Sequence, residues 1–437
     1  MIKNLLFITS SLLFSAGFCC GNCSCDQNHK CSFEDICDIS NIEPVKNENK
    51  TAEHSNIQEG EQEYQSTQIA TGINSYILLI TNNGIDVYSH YDDIVKKVQN
   101  EDCTNLLHNE RNISKKISNY VETNMRDENR LYHIALITSY RNGKNRYTTN
   151  DTQIIESDSV IAKYNDDSVC IYQPRINGQN GEKTLTKLEA CNPIQAYSTF
   201  YNKFLTETPA ERINRAIDFV ESIKVIHTAG VVHLDLKLEN IIIEQAPDGV
   251  DAMNWNYPVW IIDFGISKEH NKEILKLIGT PGYRDPLNVY SDQNVIKCDT
   301  TNDIYAAGII LAYLLFGDNE FCSKLSDPNS GEQLMESYLN LSHSELRKYF
   351  STSLTEVNIS SKFEHKYSEQ QVKDLAYLIA DCMMVHQEEI NNNAETFRDQ
   401  NGNALRRPTC QEIQTELEKI RVLDANLKLN DTDDSNE

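Results

Sequence analysis

The sequence has no excess of basic residues. Its 437 residues include 65 Asp and Glu against 40 Lys and Arg, a formal net charge of −25. Nucleic acids and anionic membrane surfaces are bound largely through clustered positive charge, so this balance argues against both as partners. It is compatible with a basic protein substrate, and it does not specify an oligomeric state.

Long hydrophobic runs are also scarce. Residues 5–18, after Lys3, form a mostly apolar run with small residues near its end, and no other run reaches membrane-spanning length. A short apolar run behind a positive charge is typical of a secretory signal peptide and is too short for a comfortable membrane span. We expect residues 1–18 to be a signal peptide and the protein to be secreted or extracytoplasmic, with no membrane span after cleavage. An uncleaved anchor or a buried helix is the alternative.

Cysteine is thinly spread outside one short segment. Six of the thirteen cysteines lie in the Cys-rich segment 19–40: Cys19, Cys20, Cys23, Cys25, Cys31 and Cys37. In an exported chain such a cluster predicts disulfide bonds, whereas in a reducing compartment the same residues with His29 could bind zinc. We favour disulfides. The other seven cysteines show no metal-ligand spacing and are expected to be small buried hydrophobic residues.

Large apolar residues are nearly absent from residues 41–73, which are polar and acidic. Chains of this composition cannot bury enough apolar surface to offset the entropy of ordering, so we expect a disordered linker. The same argument makes residues 425–437 a disordered acidic tail.

The most informative stretch is VVHLDLKLEN, residues 231–240. Strand-like apolar flanks place its polar cluster on a tight loop. A second apolar run, WIIDFGISK, follows about twenty residues later and contains Asp263. Asp235 is suited to act as a base, and Asn240 and Asp263 are suited to hold Mg²⁺. With Lys237, which can stabilise negative charge, they form the residue set of phosphoryl transfer.

These motifs resemble those of eukaryotic-type Ser/Thr protein kinases. HLDLKLEN is similar to the catalytic loop H-R-D-L-K-x-x-N, and IIDFG is similar to the D-F-G element. Three further resemblances follow in the family's order: GTPGYRDP at 279–286, the apolar helix at 303–317, and RRPTCQEI at 406–413. The resemblance implies an α+β, bilobal protein-kinase fold over residues 74–424, with a small β-rich N-lobe and a larger helical C-lobe.

The resemblance also implies a role for each residue of the cluster. Asp235 would orient the substrate hydroxyl and accept its proton, and Lys237 would stabilise charge on the transferred group. Asn240 and Asp263 would hold Mg²⁺. The activity implied is ATP- and Mg²⁺-dependent phosphorylation of Ser or Thr in protein substrates.

The N-terminal part of the domain resembles the family less closely. NGIDVY, with Gly84 and Val87, is similar to the phosphate-covering Gly-rich loop but has one glycine where the family usually has three. In the segment that follows, DIVKKV resembles V-A-I-K, which makes Lys96 the expected ATP-contacting lysine. Lys163 in VIAKY is a rival.

Residues 104–122 have apolar residues at helical spacing and are expected to supply the glutamate that pairs with this lysine. Glu110 fits the position best, and Glu122 is the alternative.

Departures from the family pattern carry their own predictions. Leu234 replaces the Arg of H-R-D that normally meets a phosphorylated activation segment, which predicts activity without that phosphate. Leu287 replaces the Glu of A-P-E, so Arg407 needs another partner, for which Asp285 is a candidate. Asp303 is expected to brace the catalytic-loop backbone, and Thr280 to contact Asp235 and Lys237.

Two other functions share some of these features. A pseudokinase would keep the fold as a scaffold, which the poor Gly-rich loop favours and the intact catalytic set opposes. A small-molecule phosphotransferase would share the H-x-D loop but would have no use for the GTPGY segment.

Overall fold

A computed structural model describes the chain in segments. The described residues are 64–71, 75–82, 93–99, 104–125, 133–137, 139–142, 145–148, 151, 153–154, 169–174, 176, 178–180, 203–247, 249–251, 254–289, 291, 293–327, 341–384 and 406–433. Strands dominate before residue 181 and helices dominate after residue 202, in agreement with the expected α+β class.

The N-terminal part is a seven-stranded antiparallel sheet with strand order β1-β2-β3-β7-β4-β5-β6. Helix α1, Thr104–Asn124, follows β3 and contacts β7. The strands are β1 Tyr64–Thr71, β2 Ser75–Asn82, β3 Asp93–Gln99, β4 Ser139–Asn142, β5 Asn145–Thr148, β6 Gln153–Ile154 and β7 Val169–Pro174.

The prediction of a disordered linker over 41–73 is wrong for its last part, because Tyr64–Thr71 is strand β1 and pairs in register with β2. An edge strand is held by backbone hydrogen bonds to one neighbour and needs few apolar side chains, so its polar composition resembled that of a linker. Strand β1 therefore begins about ten residues before residue 74, the predicted start of the domain, and Lys96 falls on the third strand.

The C-terminal part is built around one helix. Helix α4, Thr300–Phe316, is buried continuously from Asp303 to Phe316, as its nearly uniform apolar sequence predicted. Helices α2, α6 and α7 all pack against α4. The remaining helices are α2 Pro209–Thr228, α3 Pro286–Val289, α5 Glu320–Ser326, α6 His343–Ser360, α7 Glu369–Cys382 and α8 Cys410–Asp433.

The expected disordered tail over 425–437 is also wrong in part, because helix α8 runs to Asp433. The sequence after residue 409 contains no Pro or Gly, and extending a packed helix avoids the cost of nucleating a new one. Among the described residues, no helix has both the length and the apolar character needed to cross a membrane.

Three small sheets position the polar loops. Strand β10 lies between β8 and β11, β9 pairs with β12, and β13 pairs with β14. Ile241 pairs with Ile261 between β10 and β11, so the loop before β10 and the loop after β11 meet at the same end of the two strands. These strands are β8 Gly178–Asn180, β9 Val231–Val232, β10 Ile241–Glu244, β11 Val259–Ile261, β12 Lys268–Glu269, β13 Glu273–Leu275 and β14 Val295–Lys297.

Helix α2 delivers the chain into the catalytic loop and begins at a capping box. The Thr208 hydroxyl accepts from the Glu211 N–H, and the Glu211 carboxylate accepts from the Thr208 N–H at 2.7 Å. Lys203 Nζ donates to the same carboxylate at 2.6 Å. Burial alone would raise the pKa of Glu211, but the bonds from Lys203 and Thr208 outweigh it and lower that pKa to about 2.

Glu211→Gln is expected to lower the free energy of unfolding at neutral pH. Because the folded pKa lies below the ordinary 4.5, the charge contributes in full above pH 4.5 and is lost as the pH falls toward 2. The side chain is 43% exposed, so solvent screening limits the loss to about 0.5–1 kcal/mol. Urea unfolding at pH 7 and pH 3.5 measures it. A difference between variant and wild type that stays equal at both pH values would contradict the assignment.

Candidate active site

The catalytic loop between β9 and β10 is held by one buried carboxylate. Asp303, 1% exposed, accepts from the backbone N–H of His233 at 2.7 Å and of Leu234 at 2.8 Å. Leu234 has a φ of +67°, a conformation that a branched residue keeps only when its surroundings fix it. His227 Nε2 lies 2.9 Å from the same carboxylate. The predicted brace by Asp303 is confirmed.

The loop brings Asp235, Lys237 and Asn240 together below the surface, each at most 6% exposed. Asn240 Nδ2 donates to Asp235 Oδ2 at 2.9 Å and to its carbonyl oxygen at 2.8 Å. Lys237 Nζ lies 3.2 Å from Asp235 Oδ2. Thr280 Oγ1 donates to Asp235 Oδ1 at 2.7 Å and accepts from Lys237 Nζ at 2.8 Å, which confirms the predicted contacts of Thr280. The Asp235 carboxylate is therefore held from three sides.

Asp263 follows β11, and the backbone places it beside Asn240. The Ile262 N–H donates to the Asn240 carbonyl at 3.0 Å, so the two residues lie at the same edge of the small sheet. Asp263 has a φ of +65°, and its Oδ1 accepts from the Gly265 N–H at 3.3 Å. Because Asn240 uses Nδ2 to bind Asp235, its amide oxygen is the atom available for a cation. A carboxylate and an amide oxygen are ligands that Mg²⁺ prefers, so this pair fits the ion.

Two buried rings pack against the loop formed by residues 263–265. The Phe264 ring is fully buried and lies 4.8 Å from the His233 ring, centroid to centroid. His233 Nε2 lies 3.0 Å from the Ile262 carbonyl, and Ser267 Oγ donates to the His233 carbonyl at 3.0 Å. His233 therefore has a structural packing role.

The structure describes only some of the residues predicted to contact the nucleotide. Lys96 lies on β3, paired with Leu78 on one side and Tyr172 on the other. Glu110 on α1 is 1% exposed, whereas the alternative Glu122 is exposed, so burial favours Glu110. The structure does not test the contact between Lys96 and Glu110. Gly84, Val87 and the rival lysine Lys163 lie outside the described residues.

Helix α1 packs directly against the chain from Gly265 to Glu269. Asn109 Nδ2 donates to the Gly265 carbonyl at 3.0 Å and to the Ser267 carbonyl at 2.9 Å. Lys116 Nζ also contacts the Glu269 carboxylate at 2.9 Å. Sequence reasoning missed Asn109, because a single polar residue on a helix gives no signal of such a distant contact.

Comparison with known proteins decides the family. A sequence profile of the protein kinase domain matches residues 145–389, which is more than half of the chain. This chain belongs to the protein kinase family. The matched region begins after β3 and α1, so Lys96 and Glu110 lie outside it. Membership implies the bilobal arrangement expected of the fold.

The individual relatives are similar to this chain over only part of its length. Serine/threonine-protein kinase 17A of Oryctolagus cuniculus is 31% identical over 142 residues, 32% of this chain and 32% of that protein. Mitogen-activated protein kinase HOG1 of Exserohilum turcicum is 32% identical over 131 residues, 29% of this chain and 35% of that protein. A dual serine/threonine and tyrosine protein kinase of Xenopus laevis is 31% identical over 106 residues, 24% of this chain and 10% of that protein. The matched regions thus span about a third of these relatives or less.

The activation segment of the kinase, residues 266–286, contacts the catalytic loop at Gly279. Its φ is +90°, and a Cβ atom there would lie 2.5 Å from the Leu234 carbonyl oxygen. Arg284 Nε donates to the Gly279 carbonyl at 2.8 Å and fixes the turn. Thr280, the next residue, can reach Asp235 only because the backbone approaches this closely.

Gly279→Ala is expected to lower kcat/KM of the kinase by about 100-fold, because displacing the segment misplaces Thr280 and Asp235 relative to the substrate. Gly249→Ala is the matched control: its φ is +82°, but nothing lies within 4 Å of the added Cβ. Both variants carry the backbone strain, and only Gly279→Ala carries the clash. Steady-state kinetics on both variants measure the effect, and equal losses would show that the close approach is unimportant.

Asp285, two residues before Leu287, takes the role of the missing A-P-E glutamate. Arg407 donates to both carboxylate oxygens of Asp285, at 2.6 and 2.8 Å, and to the Met384 carbonyl oxygen. The side chains of Arg407 and Asp285 are 1% and 3% exposed. Asp285 is therefore the partner of Arg407, and this corner of the kinase is closed by a fully buried, bidentate ion pair.

An apolar cluster surrounds Leu234 where the family usually has an arginine. Its buried members are Val232, Leu234, Ile274 and Cys298, and Ile266, Ile278 and Ile296 pack against them. The paired strands β13 and β14 contribute two of these side chains, Ile274 and Ile296. The activation segment is thus attached to the catalytic loop by burial of apolar surface.

The cysteines of the C-terminal part behave as their spacing predicted. Cys298, Cys322, Cys382 and Cys410 are buried thiols, and none of these four is in a disulfide. The Cys-rich segment 19–40 lies outside the described residues, so its disulfides and the zinc alternative stay predictions.

Proposed function

We propose that this kinase transfers the γ-phosphoryl group of ATP, with Mg²⁺, to Ser or Thr hydroxyls of protein substrates. The observation that carries the proposal is the hydrogen-bonded set of Asp235, Lys237, Asn240 and Thr280. The set contains the base, the cation and the amide that phosphoryl transfer to an alcohol requires.

Each side chain has a distinct task. Asp235 orients the acceptor hydroxyl and accepts its proton, and Asn240 and Thr280 hold its carboxylate in one orientation. Lys237, 3.2 Å from that carboxylate, stabilises the negative charge of the transferred group. Mg²⁺, when bound by Asn240 and Asp263, offsets the charge of the phosphate oxygens. Lys96, paired with Glu110, positions the nucleotide phosphates.

Preference for Ser and Thr over Tyr is part of the proposal. It is supported by Lys237 of the D-L-K sequence and by the Thr280 bridge between Lys237 and Asp235. Peptide pairs that differ only in Ser or Tyr at the acceptor position test the preference. Equal transfer to both would replace it with dual specificity.

The kinase is further proposed to act without phosphorylation of its activation segment. The apolar cluster around Leu234 supports this, since it attaches the segment without the arginine that would bind a phosphate. Mass spectrometry of active protein, before and after phosphatase treatment, tests it. Activity retained by fully dephosphorylated protein is expected, and activity that requires a loop phosphate would contradict the proposal.

Export through residues 1–18 is proposed from the apolar leader, and disulfides within 19–40 are proposed from the cysteine cluster. Mass spectrometry of the mature N-terminus under non-reducing conditions tests both proposals. An intact Met1 would contradict cleavage. Reduced cysteines with stoichiometric zinc would favour the metal site.

Nucleotide binding separates the kinase from a scaffold. Any ligand that binds only the folded protein raises its melting temperature, so Mg-ATP is expected to stabilise the full chain. Asp263→Ala should reduce the part of the shift that depends on Mg²⁺. A folded protein whose melting temperature does not respond to Mg-ATP would favour the pseudokinase alternative.

A further inference from the structure

Cys410, His227 and Asp303 contact one another in a row next to the catalytic loop. Cys410 Sγ lies 3.5 Å from His227 Nδ1, and His227 Nε2 lies 2.9 Å from Asp303 Oδ2. A nucleophile within reach of a base, with the base oriented by a third group, is the arrangement that activates side chains in covalent chemistry. Phosphoryl transfer by Asp235 has no use for the thiol, so the row calls for a separate explanation.

The protonation of the histidine follows from its neighbours. Nε2 faces a carboxylate oxygen and therefore carries a proton, which leaves Nδ1 to exchange a proton with the sulfur. Burial would lower the pKa of His227, but Cys410 and Asp303 beside it raise that pKa to about 10. The geometry thus places a base, His227 Nδ1, within hydrogen-bonding distance of the sulfur.

The thiol also lies at the start of a helix. Cys410 is the first residue of α8, where the unpaired N–H groups of a helix favour negative charge. It is 4% exposed, and both chain neighbours, Thr409 and Gln411, are exposed. The thiol is therefore buried between two exposed positions of the chain.

Two other thiols provide a contrast in the same part of the kinase. Cys298 donates to the Glu269 carbonyl at 3.0 Å, and burial raises its pKa. Cys322 contacts Asn319, and burial raises its pKa to about 12. All three thiols are buried, and Cys410 differs in its contact with an imidazole that a carboxylate orients.

We propose that Cys410 is a peroxide-sensitive thiol whose oxidation lowers kinase activity through His227 and Asp303. The thiolate sulfur attacks one oxygen of hydrogen peroxide, an S–O bond forms and the O–O bond breaks. The departing hydroxide takes the proton from His227 Nδ1 and leaves as water. The net reaction converts thiol and peroxide into sulfenic acid and water, so the sulfur is oxidised and the peroxide is reduced.

Oxidation would reach the catalytic loop through hydrogen bonds that the structure contains. A sulfenic oxygen must fit into the 3.5 Å between the sulfur and Nδ1, so it displaces the imidazole. Asp303, which also holds the N–H groups of His233 and Leu234, then loses a partner. The effect on activity rests on the proposed kinase function, whereas the reactivity of the thiol does not.

The first arm of the test measures chemistry alone. The full-length reduced protein is treated with hydrogen peroxide and a sulfenic-acid probe, and labelling of each cysteine is followed by mass spectrometry. Cys410 is expected to react at least about tenfold faster than Cys298 and Cys322, because His227 Nδ1 is placed to accept its proton. Equal or slower labelling of Cys410 in wild-type protein would overturn the proposal without any variant.

His227→Gln separates activation from exposure, since it removes the imidazole and leaves Cys410 at the same depth. The rate advantage of Cys410 should disappear in this variant, after its fold is checked by thermal melting. An advantage that persists would show that accessibility alone is responsible, which would overturn the role of His227.

The second arm measures activity. Peroxide should remove most of the wild-type activity and a thiol reductant should restore it, whereas Cys410→Ser should keep its basal activity and resist peroxide. Serine retains a hydrogen-bond donor toward His227 Nδ1. Equal losses in wild type and Cys410→Ser would overturn the regulatory role. If no kinase activity exists, the labelling arm still decides whether Cys410 is activated.

Discussion

Asp235→Asn is expected to lower kcat for protein phosphorylation by about 10²–10⁴-fold, with little change in Mg-ATP affinity. The amide has nearly the size of the carboxylate, but it cannot accept the proton of the substrate hydroxyl. Its NH₂ group would also face either Asn240 Nδ2 and Lys237 Nζ, which both contact Oδ2 as donors, or Thr280 Oγ1, which donates to Oδ1 in the wild-type site. The effect therefore falls on the chemical step.

Two measurements check this prediction. Steady-state kinetics give kcat, and a thermal shift with Mg-ATP shows whether the variant still folds and binds nucleotide. Asp251→Asn, at an exposed position after β10, is the control and should leave kcat unchanged. A kcat for Asp235→Asn close to wild type would mean that Asp235 is not the base.

The second large effect is on stability. Arg407→Ala is expected to lower the free energy of unfolding by about 3–5 kcal/mol, because it leaves the Asp285 carboxylate buried without its cation. The two side chains are 1% and 3% exposed, so water cannot replace the lost partner. Equilibrium unfolding in urea measures the change.

Arg406→Ala is the matched control for this variant. Arg406 pairs bidentately with Glu412, but those side chains are 18% and 29% exposed. Partial exposure keeps the contribution of such a pair to about 0–1 kcal/mol. Similar losses for Arg406→Ala and Arg407→Ala would show that burial of the ion pair does not determine its contribution.

A double-mutant cycle isolates the contact itself. Asp285→Ala, Arg407→Ala and the double variant should give a coupling energy of about 0.5–3 kcal/mol, since removing the second partner relieves the unpaired charge left by the first. Additive losses would mean that the two residues stabilise the kinase through separate contacts, such as that of Arg407 with Met384.

The geometry of the candidate active site was predictable from sequence because most of it is local. Asp235, Lys237 and Asn240 lie within six residues, and the strand-like flanks imposed the tight loop that brings them together. The position of Asp263 was predictable for the same reason. Strands β10 and β11 pair antiparallel, so the loop before β10 and the loop after β11 lie side by side. Short chain separations leave few other geometries.

Contacts across long chain separations were predictable only where a family motif, matched or incomplete, indicated them. Arg407 and Asp285 are 122 residues apart, and the missing A-P-E glutamate alone indicated that Arg407 required another partner. Cys410 and His227 are 183 residues apart, and neither departs from a motif in a way that signals their contact. Only the packing of α8 against α2 brings them together.

Composition was least reliable at the two ends of the domain. Strand β1 is polar because an edge strand is held by its backbone, and the end of α8 is polar because it continues a packed helix. In both places hydrogen bonding to an existing element replaces burial as the source of order, and composition does not detect that contribution.

Phosphoamino-acid analysis tests the central claim most directly. Dephosphorylated full-length protein would be incubated with Mg²⁺, γ-labelled ATP and a basic protein substrate. The account predicts labelled phosphoserine or phosphothreonine from wild type and a large reduction with Asp235→Asn. Well-folded wild-type protein that binds Mg-ATP but labels no Ser or Thr, across a broad set of protein substrates, would contradict the account.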